Sequence, residues 1–211
     1  AIESPQRGDK RVFIRYTRDG RPLKINSEDD FKNTFRMFSW LPPRTFYASL
    51  NVYKTIDSKE DLERMNNIVY TTPVFDIDCD LEHWQDAIEV GRLIVNFLQN
   101  KGIRESIYLV WSGRGLHVQI NERAFSEDVV AKFGALNIAF SVVEFVLKSL
   151  EKEILTIASK TRMLERPLKV ENEVDIKRVF TIPFSLHRAV DLACVPFRPE
   201  DIDNFDLSWA D

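Results

Sequence analysis

A chain of 211 residues with 44% hydrophobic and 29% charged residues can bury one substantial core and is too apolar for a disordered tail. Its net charge of −4 excludes a uniformly basic nucleic-acid coat, so any contact with a polyanion must rest on a local basic patch. No apolar run reaches the roughly 18 residues that span a membrane, and no membrane partner is expected. The two cysteines, Cys79 and Cys194, form no CxxC pair; this argues against a structural zinc site and suits a reducing, intracellular setting. The chain starts on Ala and ends on Trp-Ala-Asp, which suggests a single domain over 1–211 excised from a longer protein.

Residues 11–17 alternate as a strand does. Ser27 with Asp30 three positions on forms a capping pattern, predicting an amphipathic helix to about position 38, stopped by Pro42-Pro43. Positions 44–53 read as one strand. Ser58 and Asp61 repeat the capping spacing for a short helix. Positions 73–80 read as a strand, and 82–101 as a helix ended by Gly102. Strands at 105–111 and 116–121 flank the turn Ser112-Gly113-Arg114-Gly115. The pattern then predicts one long apolar helix from 126 to about 151, a basic loop at 160–169, a mostly extended 170–183 and a helical turn at 199–205. Strands and helices joined by hairpins and crossovers predict an α/β (α+β) fold, a mixed sheet with helices packed on it.

The most informative stretch is Val74-Phe75-Asp76-Ile77-Asp78-Cys79-Asp80. Strand side chains alternate between faces, so Asp76, Asp78 and Asp80 share one face and Phe75, Ile77 and Cys79 the other. Carboxylates a few Å apart repel, and a hard cation such as Mg²⁺ or Mn²⁺ resolves the repulsion. Two such ions can hold a triphosphate and activate an attacking hydroxyl. The plainer alternative is a solvated edge strand, but the apolar lead-in argues for an interior strand, where unpaired acids need a reason.

In Trp111-Ser112-Gly113-Arg114-Gly115-Leu116-His117, two glycines flank an arginine in a tight turn that lets a phosphate approach backbone N–H groups. Ser112 and Arg114 offer donors, and His117 opens the return strand. An ordinary hairpin with a core histidine fits the same residues. A third segment, Asp175 to Arg188, carries an acid, Lys177 and Arg178, then Ser185, His187 and Arg188. Glu171, Glu173 and Asp175 fall on one strand face, and any of them could complete a metal site. Lys160, Arg162 and Arg166 are the best basic patch for a template strand, a solvated loop being the alternative.

The ordered set FDID, SGRGLH and DIKRVFTIPFSLH resembles the archaeo-eukaryotic primase superfamily, over about positions 40–198. The resemblance implies a primase-polymerase catalytic fold and a metal-dependent nucleotidyltransferase, a DNA primase or DNA-directed polymerase acting in replication. Asp76, Asp78 and Asp175 would bind two Mg²⁺ or Mn²⁺ ions. Ser112, Arg114 and His117 would hold the phosphates of the incoming nucleotide, with Arg178, Ser185, His187 and Arg188 completing the pocket. The implied partners are single-stranded template DNA, nucleoside triphosphates, and a helicase, a regulatory primase subunit or a fused domain. The implied location is the cytoplasm and its nucleoid, or a nucleus.

Two departures from the family pattern stand out. The cysteines and histidines are too scattered for the zinc module of replicative small subunits. Counted back from Ser185-Leu186-His187, the replicative spacing puts the third acid at Lys169, which cannot be a ligand while charged. The plasmid-type spacing, three residues before the arginine, falls on Asp175, with Glu171 and Glu173 in reserve. On a regular strand Asp175 and Arg178 face opposite ways, so either a bulge or sharp twist lies between them or Arg178 acts from the strand's other side. A repair-type extension polymerase of the same fold, a non-catalytic nucleic-acid-binding subunit and a metal nuclease are the competing readings.

Overall fold

Alternating apolar and polar residues build the sheet on which the rest of the molecule sits. The computed structural model describes residues 1–4 and 11–211. In chain order the elements are β1 (Ile2–Glu3), β2 (Phe13–Ile14), α1 (Glu28–Met37), β3 (Thr45–Ser49), β4 (Asn51–Tyr53), β5 (Ile68–Thr71) and β6 (Val74–Asp78). There follow α2 (Trp84–Asn100), β7 (Ile107–Trp111), β8 (Gly115–Ile120), α3 (Glu127–Phe133), α4 (Ala135–Ser149), α5 (Glu151–Ala158), β9 (Lys169–Asn172), β10 (Val179–Thr181) and β11 (Val195–Phe197). The sheet orders are β11-β7-β8-β6-β9, β10-β3-β1-β2 and β4-β5, and every strand pair described is antiparallel. The fold is mixed α/β, with helices packed on antiparallel sheets.

One face of the five-stranded sheet is the core. Phe75 and Ile77 of β6 and Leu116 and Val118 of β8 are fully buried there with Ala87, Val90 and Ile94 of α2. A smaller apolar cluster of Ile2, Phe38 and Phe46 joins α1 to the four-stranded sheet. The start of α1 follows its sequence signal: Ser27 Oγ accepts from Asp30 N–H at 3.1 Å, and Asp30 Oδ2 accepts from Asn26 N–H at 2.9 Å.

Four elements differ from the sequence reading. The strand expected at 44–53 is two strands in different sheets, parted at the buried Leu50. Near 58–61 the cap runs the other way: Asp61 Oδ2 accepts from Asp57 and Ser58 N–H and leads into a single 3₁₀ turn, Glu60–Glu63. The long apolar helix breaks at Gly134, and α4 leaves α3 at 93°. The extended stretch 170–183 is β9 in the five-stranded sheet, then a turn, then β10 in the four-stranded one.

Candidate active site

β6 lies between β8 and β9, and register decides what faces its acids. Asp76 is opposite His117 on one side and Glu171 on the other; Asp78 is opposite Gly115 and Lys169. Directly opposed residues of antiparallel strands share a face, so Asp76, Asp78, His117, Glu171 and Lys169 all rise from the side away from α2. Asp80 does not join them. It lies beyond the strand, and its Oδ1 accepts from Glu82 N–H at 3.3 Å at the start of a 3₁₀ turn.

Burial, and then the charge of Asp76, push the Asp78 carboxyl above the usual carboxylate range. Gly115 makes room for it, because a Cβ there would lie 3.1 Å from Asp78 Oδ1 and 2.4 Å from the Ile77 carbonyl. His117 is buried beside this pair. Its Nε2 is 3.1 Å from Asp76 Oδ1, its ring packs edge-on against Phe180 at 4.6 Å, and its Nδ1 has no hydrogen-bond partner. His117 therefore positions Asp76.

Asp78 opens into a cleft of about 430 Å³ lined by Glu3, Arg11, Arg114, Arg166, His187 and Arg188, with Ala189. Four arginines face two carboxylates, an excess of positive charge in a partly enclosed space. Among the described residues, Arg114, Arg166 and Arg188 form no ion pair, and the buried Nε of Arg114 has no partner. An unpaired buried donor costs free energy unless a ligand completes it. Burial and the four arginines, Arg188 foremost, lower the pKa of His187 to about 4. Its Nδ1 accepts from Ala189 N–H at 3.1 Å, so the neutral ring carries its proton on Nε2.

The wall of the cleft is held from behind. Arg44 donates to the His187 carbonyl at 2.9 Å and the Val190 carbonyl at 2.7 Å, and pairs with Asp191 at 2.6 Å. Gly113 has φ 99°, and a Cβ there would come within 2.5 Å of His187 Cβ, so only glycine lets the two loops meet.

The structure thus brings Asp76, Asp78, Arg114, His117, His187 and Arg188 together. It places the other candidates elsewhere. Ser112 is buried and donates to the Gly115 carbonyl at 3.1 Å, closing its own turn. Ser185 is also buried, and its Oγ accepts from Phe46 N–H at 2.8 Å. Asp175 is half exposed and accepts from Lys177 N–H at 2.5 Å. Arg178 bonds the Glu173 carbonyl at 3.0 Å and pairs with the carboxylates of Glu173 and Asp175. The expected bulge is instead a full turn between two sheets, so the acid aligned with β6 is Glu171. Lys160 is tied to Glu89 and Asp86, so of the basic patch only Arg166 lines the cleft. Arg11 and Arg44 carry no sequence signal of their own, and Arg166 only that of a basic loop, because they come from separate segments that only the fold unites.

The carboxylates fit a divalent cation in kind, since two hard oxygen donors share a face beside a third in register, and burial with the repulsion of Asp76 disfavours the charge of Asp78. Among the described residues, no three His, Cys, Asp or Glu side chains close into a ready-made metal cage. A second cavity of about 350 Å³, between α1 and the four-stranded sheet, has no acid in its lining.

No protein-family model and no curated protein sequence matches this chain. Among solved structures it is similar to the polymerase domain from Mycobacterium tuberculosis Ligase D in complex with DNA. The identity is 15% and the TM-score 0.53, and the likeness covers 97% of this chain and 65% of that one. The chain thus spans about two thirds of that structure's length, and the likeness shows that it shares the fold of a polymerase domain.

Proposed function

We propose that this chain is a nucleotidyltransferase of the archaeo-eukaryotic primase superfamily, binding a nucleoside triphosphate in the arginine cleft and joining it to a nucleic-acid strand on a template. The observation that carries this reading is the cleft itself, where unpaired guanidiniums surround a carboxylate whose charge is disfavoured. Arg114, Arg166 and Arg188 bind and orient the triphosphate through charge-assisted hydrogen bonds, and the Nε2–H of neutral His187 donates to another phosphate oxygen. His117 keeps Asp76 beside Asp78. Asp76 and Asp78, with Glu171 as the third acid in place of Asp175, would hold Mg²⁺ or Mn²⁺. Bound there, the ion would screen the carboxylates and activate the attacking hydroxyl. The template is single-stranded DNA, and initiation on it would draw on a fused domain, a regulatory subunit or a helicase.

Lys169 favours a second reading, since the residue in register with Asp78 is a lysine rather than a further acid. That suits a nucleic-acid-binding accessory subunit of the same fold. Incubation with template, labelled nucleotides and Mn²⁺, with and without primer, separates the readings. Product without primer marks a primase-polymerase, and product only with primer marks an extension enzyme. Binding of the template with no product under either condition marks the accessory subunit.

A further inference from the structure

Phe184 breaks two rules at once. The residue is 81% exposed, and its backbone takes φ 65°, a left-handed conformation that strains a bulky residue. Glycine would suit the turn better, so the turn is not the reason for the ring. The strain is held in place by Phe184 N–H donating to the Cys194 carbonyl at 2.7 Å and Cys194 N–H donating to the Ser185 carbonyl at 2.9 Å. Ser185 N–H reaches the Ile182 carbonyl at 3.1 Å, and Ser185 Oγ is fixed by Phe46 N–H. The result is a rigid turn that presents an aromatic ring to solvent.

Three residues further on, His187 lines the arginine cleft. Three residues of chain span at most about 11 Å, so the Phe184 backbone lies within that reach of His187. Exposed Met163 stands the same number of residues before Arg166, on another loop that reaches the cleft.

We propose that Phe184 is a stacking platform for an unpaired base of a single nucleic-acid strand whose phosphates face the arginines. Charge complementarity favours a nucleic acid over a protein partner: four arginines against two carboxylates suit a polyanion, and every base offers a π face to an aromatic ring. A preformed ring with few rotatable bonds loses little entropy on stacking. The identity of the strand rests on the nucleotidyl-transfer reading; the platform itself is a separate claim.

The test titrates single-stranded DNA carrying 2-aminopurine, a base whose fluorescence falls on stacking, into the 211-residue chain and its Phe184→Gly and Phe184→Trp variants. Phe184→Gly should weaken binding about 5- to 100-fold and abolish the quenching. Its Tm should equal or exceed that of the parent, because glycine accepts the positive φ. Phe184→Trp should keep both affinity and quenching. Unchanged affinity and quenching in Phe184→Gly would overturn the platform, as would a binding loss that tracks a lowered Tm. Nucleotide addition by the parent with Phe184→Gly indistinguishable from it sinks the platform alone. A parent that neither binds the strand nor adds nucleotides sinks the nucleotidyl-transfer reading, and the platform with it.

Discussion

The floor and the wall of the cleft are built by opposite means. The floor is regular sheet: Asp76 and Asp78 stand where strand alternation puts them, and register alone supplies His117 and Glu171. The wall comes from segments far apart in the chain, near positions 11, 114, 166 and 187, and its positions depend on Arg44 and Gly113 behind it. The floor concentrates negative charge against its own repulsion, whereas the wall concentrates positive charge with few internal partners. Each half is electrostatically unsatisfied without a ligand that bridges them, and a metal-bound triphosphate has both signs of charge.

The largest expected effect lies on the floor. Asp78→Asn should lower nucleotide addition by more than about 100-fold, because even groups that merely orient ligands are worth about 10- to 100-fold. The same change should raise Tm at neutral pH. The folded Asp78 carboxyl titrates above its ordinary range, so its charged form costs stability above that range and nothing below the unfolded value. The gain should vanish near pH ~3, where both proteins are neutral at this position. A lower Tm at pH 7 would mean that Asp78 is a stabilising partner, and the contrast between floor and wall would fail.

A smaller effect tests the wall. Arg166→Ala should weaken nucleoside triphosphate binding about 10- to 100-fold, the worth of one charge-assisted phosphate contact. Arg178→Ala should leave that affinity within about twofold, since Arg178 is occupied by Glu173 and Asp175. A fluorescent nucleotide titration measures both, and the reverse ranking would move the phosphate site to the turn before β10.

The smallest effect is a pH dependence. His187 titrates at about 4 in the folded chain, below its ordinary 6.5, so the unfolded chain takes up the proton first. Stability should therefore fall as pH drops from 6.5 towards 4, and His187→Gln should flatten that window in thermal melts. An unchanged slope would mean that neither burial nor the four arginines bear on this ring.

The floor was legible in the sequence because alternation is local: FDID gives the face of each acid, and Ser27 announces α1. The 173–178 turn was not, because long-range side chains hold it. Asn51 Nδ2 donates to the Asp175 and Ile176 carbonyls at 2.9 and 3.0 Å, and the Tyr53 hydroxyl to the Ile176 carbonyl at 2.7 Å. Without those contacts the stretch reads as one strand, and Asp175 then looks like an inward-facing acid. Ser112 and Ser185 read as phosphate donors because their hydroxyls suit that role; the structure shows Ser112 engaged within its own turn and Ser185 across the fold at Phe46. Arg166 was legible as part of a basic loop but not as a neighbour of Asp78.

Ser185 joins two sheets that have no strand in common. Its hydroxyl takes the Phe46 N–H of β3, and two residues later the same loop forms part of the cleft around Asp78. Arg44, next to β3, grips that loop at three more points. Local opening of β3 would therefore release His187 and Arg188 with it. Amide exchange at Phe46 should report the breathing of the cleft wall, and a ligand in the cleft should slow exchange in β3, a strand that does not line it.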